Sequence, residues 1–91
     1  MSDHIGRALV AWNLRKLRTE RSISQEKLAA DTGVDRAYVG ELERGRGNAT
    51  VDLLERLAQV LGVPLGEFFV EPEASSLPPP ALPSGRRARA G

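Results

Sequence analysis

The segment from Ser24 to Glu43 constrains this chain more than any other part of it. It reads as two short helices broken by a tight turn at Gly33. Leu28, Ala29, Val34, Val39 and Leu42 fall where two crossed helices would touch. Ala29 is small enough to let the second helix approach closely. Gly33 can take the positive φ that an abrupt helix end needs. Ser24 is placed to cap the first helix, with Glu26 in its first turn, and Asp35 to cap the second, which spans residues 35–44 and stops at Gly45.

The flanking sequence supplies further helices. Over residues 5–20, Val10, Leu14 and Leu17 follow i, i+4, i+7 spacing, extended backwards by Leu9 and Ile5. Thr50 can cap a helix in which Val51, Leu53, Leu54, Leu57, Ala58, Val60 and Leu61 fill one half of the wheel. Asp52, Glu55, Arg56 and Gln59 fill the other half, and Gly62 ends it. Pro64 then opens a short fifth helix carrying Leu65, Phe68 and Phe69. Nothing in residues 1–69 alternates with period two, so the expected fold is an all-α, five-helix bundle. Two short helices crossed at a glycine turn form the helix-turn-helix pattern, whose second helix enters the major groove of DNA.

Composition limits the alternatives. Ninety-one residues suit one small domain, read here as residues 1–70. From Glu71 onward the prolines and the scarcity of apolar residues read as a flexible tail over 71–91. The tail is open to three readings: a proline-rich docking segment, an Arg86/Arg87/Arg89 arm reaching DNA, or a terminus of little consequence. There is no cysteine, and His4 is the sole histidine, so neither a disulfide nor a metal site is expected. No glycine-rich phosphate loop is present either. An enzyme is therefore not expected, nor is a cofactor. No apolar run reaches membrane-spanning length and no signal-peptide core is present, which fits a cytoplasmic protein. Residues 1–69 carry ten basic and ten acidic side chains. An electropositive face must therefore come from sorting charges onto opposite sides rather than from bulk charge.

Several separated motifs, in order, carry a resemblance: Arg18-Thr19-Glu20-Arg21-Ser22-Ile23-Ser24-Gln25-Glu26-Lys27-Leu28-Ala29, Gly33-Val34, Leu42-Glu43-Arg44-Gly45, and Leu57 through Leu65. Across residues 9–70 the chain resembles the Cro/repressor-type (XRE) helix-turn-helix family of bacterial and phage regulators. The resemblance implies a lambda-repressor-like bundle that binds operator DNA, usually as a homodimer, with the helix at 35–44 as the recognition helix. It also implies that Arg18 and Glu43 form a partly buried ion pair joining the first helix to the third, and that Gln25 stands at a DNA-contacting position.

On a wheel of the third helix, Val39 and Leu42 must face the core, so Arg36, Ala37, Gly40, Glu41 and Arg44 point outward. Arg36 can donate two parallel hydrogen bonds to guanine, Ala37 can touch a thymine methyl, and Glu41 can accept from cytosine. Gly40 either admits close approach of helix to groove or is a tolerated surface glycine. Gln25, at the start of its helix, can bond a phosphate or brace the recognition helix. Tyr38 sits at the edge of the buried arc, open to a phosphate bond or to plain half-burial. Arg44, Arg46 and Asn48 belong to a glycine-rich loop that can follow a phosphate strand. Arg15, Lys16 and Arg21 are expected to be solvated or near phosphates. Leu65, Phe68, Phe69 and Val70 are the dimer candidates, and each phenylalanine could instead close the core. The expected function is a sequence-specific transcriptional regulator, a repressor of inverted-repeat operators. The alternative is an antitoxin or antiactivator that binds a protein partner through the same fold, with the tail taking part.

Overall fold

The computed structural model describes residues 5–72. Expectations about residues 73–91, including the tail and its arginine arm, lie outside them. Helix α1 spans Ile5–Glu20, α2 Gln25–Thr32, α3 Arg36–Glu43 and α4 Val51–Leu61, followed by a 3-10 turn over Leu65–Phe69. There is no strand among the described residues. The expected fifth α-helix is thus a single tight turn instead. Pro64 enters it in an extended conformation, and the Glu67 N–H donates to the Pro64 carbonyl at 3.0 Å to open a 3-10 segment of only five residues.

The apolar stripe of α1 forms the floor of the core, where Leu14 and Leu17 meet Leu28, Val39, Leu57 and Phe68. Helix α1 packs against α3 and the 3-10 turn, while α2 packs against α3 and α4. Ile5 and Val51, expected on the buried faces, are 64% and 66% exposed. Both occupy the first turn of their helix, where the stripe has not yet reached a neighbour. Phe68 is fully buried, whereas Phe69 and Val70 are about half exposed. This corrects Phe68 as a dimer candidate, because its ring is already spent closing the core of one chain.

Each α-helix ends in the same way. A residue with left-handed φ donates its N–H back into the last turn, and the next residue's N–H reaches five positions back: Val34 to Ala29, Arg46 to Glu41, Val63 to Ala58 and Ile23 to Arg18. Glycine holds the left-handed position at three of these ends, with Gly33 at φ 84°. Ser22 holds it at the fourth, at φ 55°. At the N-termini, Ser24 and Thr50 accept from the N–H groups of Lys27 and Leu53 at 3.0 Å each. Asp35 stands at the N-cap of α3, but its side chain makes no capping bond.

Asn13 is the polar tie that holds the C-terminal segment. It is buried, and its amide donates to the carbonyls of Leu9, Phe68 and Val70 at 2.9–3.0 Å. The 3-10 turn is thereby fastened to α1. No helix among the described residues is long and apolar enough to cross a membrane.

Candidate nucleic-acid interface

Val39 and Leu42 are 0% and 2% exposed, which fixes the rotation of α3 about its axis. Arg36, Ala37 and Arg44 are exposed on the opposite side and Glu41 is half exposed, so the arc read from the wheel lies open on the surface. Gly40 departs from that reading. It is buried, because the Arg44 side chain folds back across it. A methyl group built at Gly40 would sit 3.5 Å from the Arg44 guanidinium, an ordinary contact.

Arg44 Nη2 donates to Glu41 Oε2 at 2.7 Å. This hydrogen bond, aided by the charges of Arg44 and Arg46, holds the Glu41 carboxyl below the ordinary carboxylate range. The ridge thus carries an acid whose charge is cancelled locally, which removes the repulsion that a bare Glu41 would present to phosphates.

Gln25 and Arg36 are the first residues of α2 and α3 and stand side by side. Arg36 Nη1 donates to Gln25 Oε1 at 3.1 Å, and Gln25 Nε2 donates to Glu43 Oε1 at 3.0 Å. Gln25 therefore braces α3 at both its ends, through Arg36 and Glu43. Arg36 Nε also lies 4.0 Å from Glu26 Oε2. Glu43, 2% exposed, accepts both arms of a forked pair from Arg18, through Nε at 2.5 Å and Nη2 at 2.9 Å. Arg18 Nη1 continues to the Ile23 carbonyl at 2.8 Å, so the pair ties α1, the loop before α2 and the end of α3 together.

The loop after α3 is more ordered than its glycines suggested. Gly45 N–H donates to Leu42 and Arg46 N–H to Glu41, at 3.0 and 2.9 Å. A methyl at Gly47 would lie 2.5 Å from Leu42 Cδ2 and 3.4 Å from Tyr38 Cε1, so the loop runs flush against α3 and half-covers the tyrosine ring. Arg46 and Asn48 are exposed on this loop beside the ridge.

Two sequence readings are corrected here. Arg21 is no phosphate ligand in waiting: Nε donates to the Leu61 carbonyl at 2.9 Å and Nη1 to Leu17 at 3.0 Å, capping the ends of α4 and α1. Arg15 lies 3.6 Å from Glu43, a second cation on that carboxylate. Its position three residues before Arg18, on the same face of α1, was the available signal. No group of three or more His, Cys, Asp or Glu side chains gathers as a metal site among the described residues.

A helix-turn-helix family model, HTH_3, matches residues 14–68. A hypothetical transcription factor of Neisseria meningitidis is 39% identical over 67 residues, which are 74% of this chain and 63% of that protein. The uncharacterised HTH-type transcriptional regulator y4dJ of Sinorhizobium fredii is 47% identical over 57 residues, 63% of this chain and 74% of that one. Among solved structures, the restriction-modification controller protein C.AhdI from Aeromonas hydrophila superposes with a TM-score of 0.67 at 40% identity. That match covers 69% of this chain and 96% of the controller. With the motifs in order, the fold in agreement and the match extending over most of the described residues, the chain belongs to the Cro/repressor-type (XRE) helix-turn-helix family.

Proposed function

We propose that this chain is a sequence-specific DNA-binding transcriptional regulator that seats α3 in the major groove of an inverted-repeat operator, binds as a homodimer and represses by occlusion. The observation that carries this reading is the uncovered arc Arg36, Ala37, Glu41 and Arg44, aimed outward by the buried Val39 and Leu42. Membership of a family whose relatives are named transcriptional regulators and restriction-modification controllers supports it.

Arg36, at the N-terminal end of α3, offers a donor fork to guanine O6 and N7, and Ala37 offers a methyl to thymine. Arg44 can turn from Glu41 to a phosphate, which leaves the Glu41 carboxylate to accept from cytosine N4. Gln25, Tyr38, Arg46 and Asn48 flank the ridge and serve the phosphate strands. Phe69 and Val70, with the half-buried Leu65, are the apolar surface offered to a second subunit. Control by a protein partner through the C-terminal residues is a separate reading, and nothing in residues 5–72 favours it over operator binding.

Selection of bound duplexes from a random pool tests the proposal. The expected product is a palindromic consensus whose half-site centres lie about 34 Å apart, one helical turn. Its affinity should fall steeply as salt rises. A pool without any enriched sequence would overturn it.

A further inference from the structure

The hydrogen bonds around Glu43 have a direction. A buried carboxylate can only accept, so the Gln25 amide beside it must present Nε2 to Glu43 and Oε1 to the other side. Glu43 is held in place by the forked Arg18 pair, and its Oε1 takes the Gln25 donor at 3.0 Å. Gln25 Oε1, thus turned outward, takes a donor from Arg36 at 3.1 Å. A side chain at position 36 that must accept rather than donate would find the wrong face of the amide.

We infer that Glu43, acting through the orientation it imposes on Gln25, aims the Arg36 guanidinium and makes Glu43 and Gln25 positioning residues for base specificity. The inference rests on the reading of α3 as the recognition helix. Arg36 is half exposed and has several rotatable bonds, so without a partner it would sample many directions before meeting a base. The relay removes part of that freedom in the free protein. An ordered donor fork discriminates guanine better than a mobile one, because less ordering remains for the bound state. A half-exposed side chain at one helix start is in this way tied to an ion pair at the other end of the same helix.

The test has two arms, both on the full chain. Guanidinium signals of Arg36 in the 15N-labelled free protein should show restrained rotation in the wild type and averaging in Gln25→Leu, with melting curves confirming that the variant is folded. Glu43→Gln, examined below its melting temperature, should loosen Arg36 as well, since its amide no longer dictates which end of Gln25 it meets. Equal mobility in wild type and Gln25→Leu would overturn the inference whether or not DNA is bound. In the second arm, random-pool selection is repeated with Gln25→Leu, Arg36→Ala and the double variant. Gln25→Leu should lose roughly tenfold in discrimination at the base pair that Arg36→Ala affects, and the double variant should lose no more than Arg36→Ala alone. A loss spread evenly over all sequences would make Gln25 a phosphate contact only and overturn the inference while leaving the regulator reading intact.

Discussion

Glu43 is almost without solvent and is the acceptor on which three other side chains depend, so its removal strands Arg18 more than it relieves anything. Arg18→Ala or Glu43→Ala alone should each destabilise the domain by about 3–5 kcal/mol, because a buried charge is left without its partner. The double variant should lose clearly less than the sum, and a denaturation cycle without coupling would contradict the pairing. Asn13 poses the opposite problem. Asn13→Asp would aim a carboxylate at the carbonyls of Leu9, Phe68 and Val70, and should cost about 3 kcal/mol or more near neutral pH, partly recovered on acidification as the new acid protonates. Thermal melts at two pH values check this. Glu41 is the surface case. Its carboxyl is held low by Arg44, so the stabilisation from that pair is present above the ordinary carboxylate range and disappears as pH falls through the depressed value. Carboxyl titration by NMR should show Glu41 returning toward the ordinary range in Arg44→Ala.

At the level of elements, the shared helix ending makes Ser22 conspicuous. Three ends use glycine where the backbone turns left-handed, and Ser22 carries a Cβ into the same region. Ser22→Gly should therefore stabilise the chain by about 1 kcal/mol, read from the melting midpoint. Gly47→Ala should do the reverse, by about 1–3 kcal/mol, since the buried Leu42 side chain would have to shift to clear a methyl only 2.5 Å from its Cδ2. Much of this level was legible in the sequence. The cap residues Ser24 and Thr50, the stops at Gly33, Gly45 and Gly62, and the inward face of α3 follow from local chemistry that each segment carries by itself. What stayed hidden depends on distant partners. The division of labour between Phe68 and Phe69 is set by a turn too short to show periodicity. Asn13 sits beside the apolar stripe of α1, and its partners lie more than fifty residues away. Gly40 reads as open on a wheel, which places Cα positions and says nothing of a long Arg44 side chain lying back over them. Ser22 gave no sign, because its left-handed φ comes from the helix ending rather than from any preference of serine.

For the whole molecule, balanced charge and a DNA-facing role are compatible because three of the acids on or near the ridge stand against cations, while Asp35 at the N-cap of α3 has no ion pair among the described residues. Glu41 pairs with Arg44, Glu43 is buried among Arg18, Arg15 and Gln25, and Glu26 stands near Arg36. Exposed Arg46 and half-buried Arg7 have no ion pair among the described residues. Arg18 ties α3 to α1, while Arg21 and Asn13 tie α4 and the 3-10 turn to α1, so α3 stands on a body cross-linked through its first helix. The most direct measurement of this account is the affinity of wild type, Arg36→Ala and Arg46→Ala for a selected duplex and its single-base-pair variants, at several salt concentrations. Arg36→Ala should lose about 1–3 kcal/mol of preference at one base pair of each half-site. Arg46→Ala should weaken every duplex alike and reduce the salt slope by about one. If both variants weaken all sequences equally, α3 does not read bases and the account is contradicted.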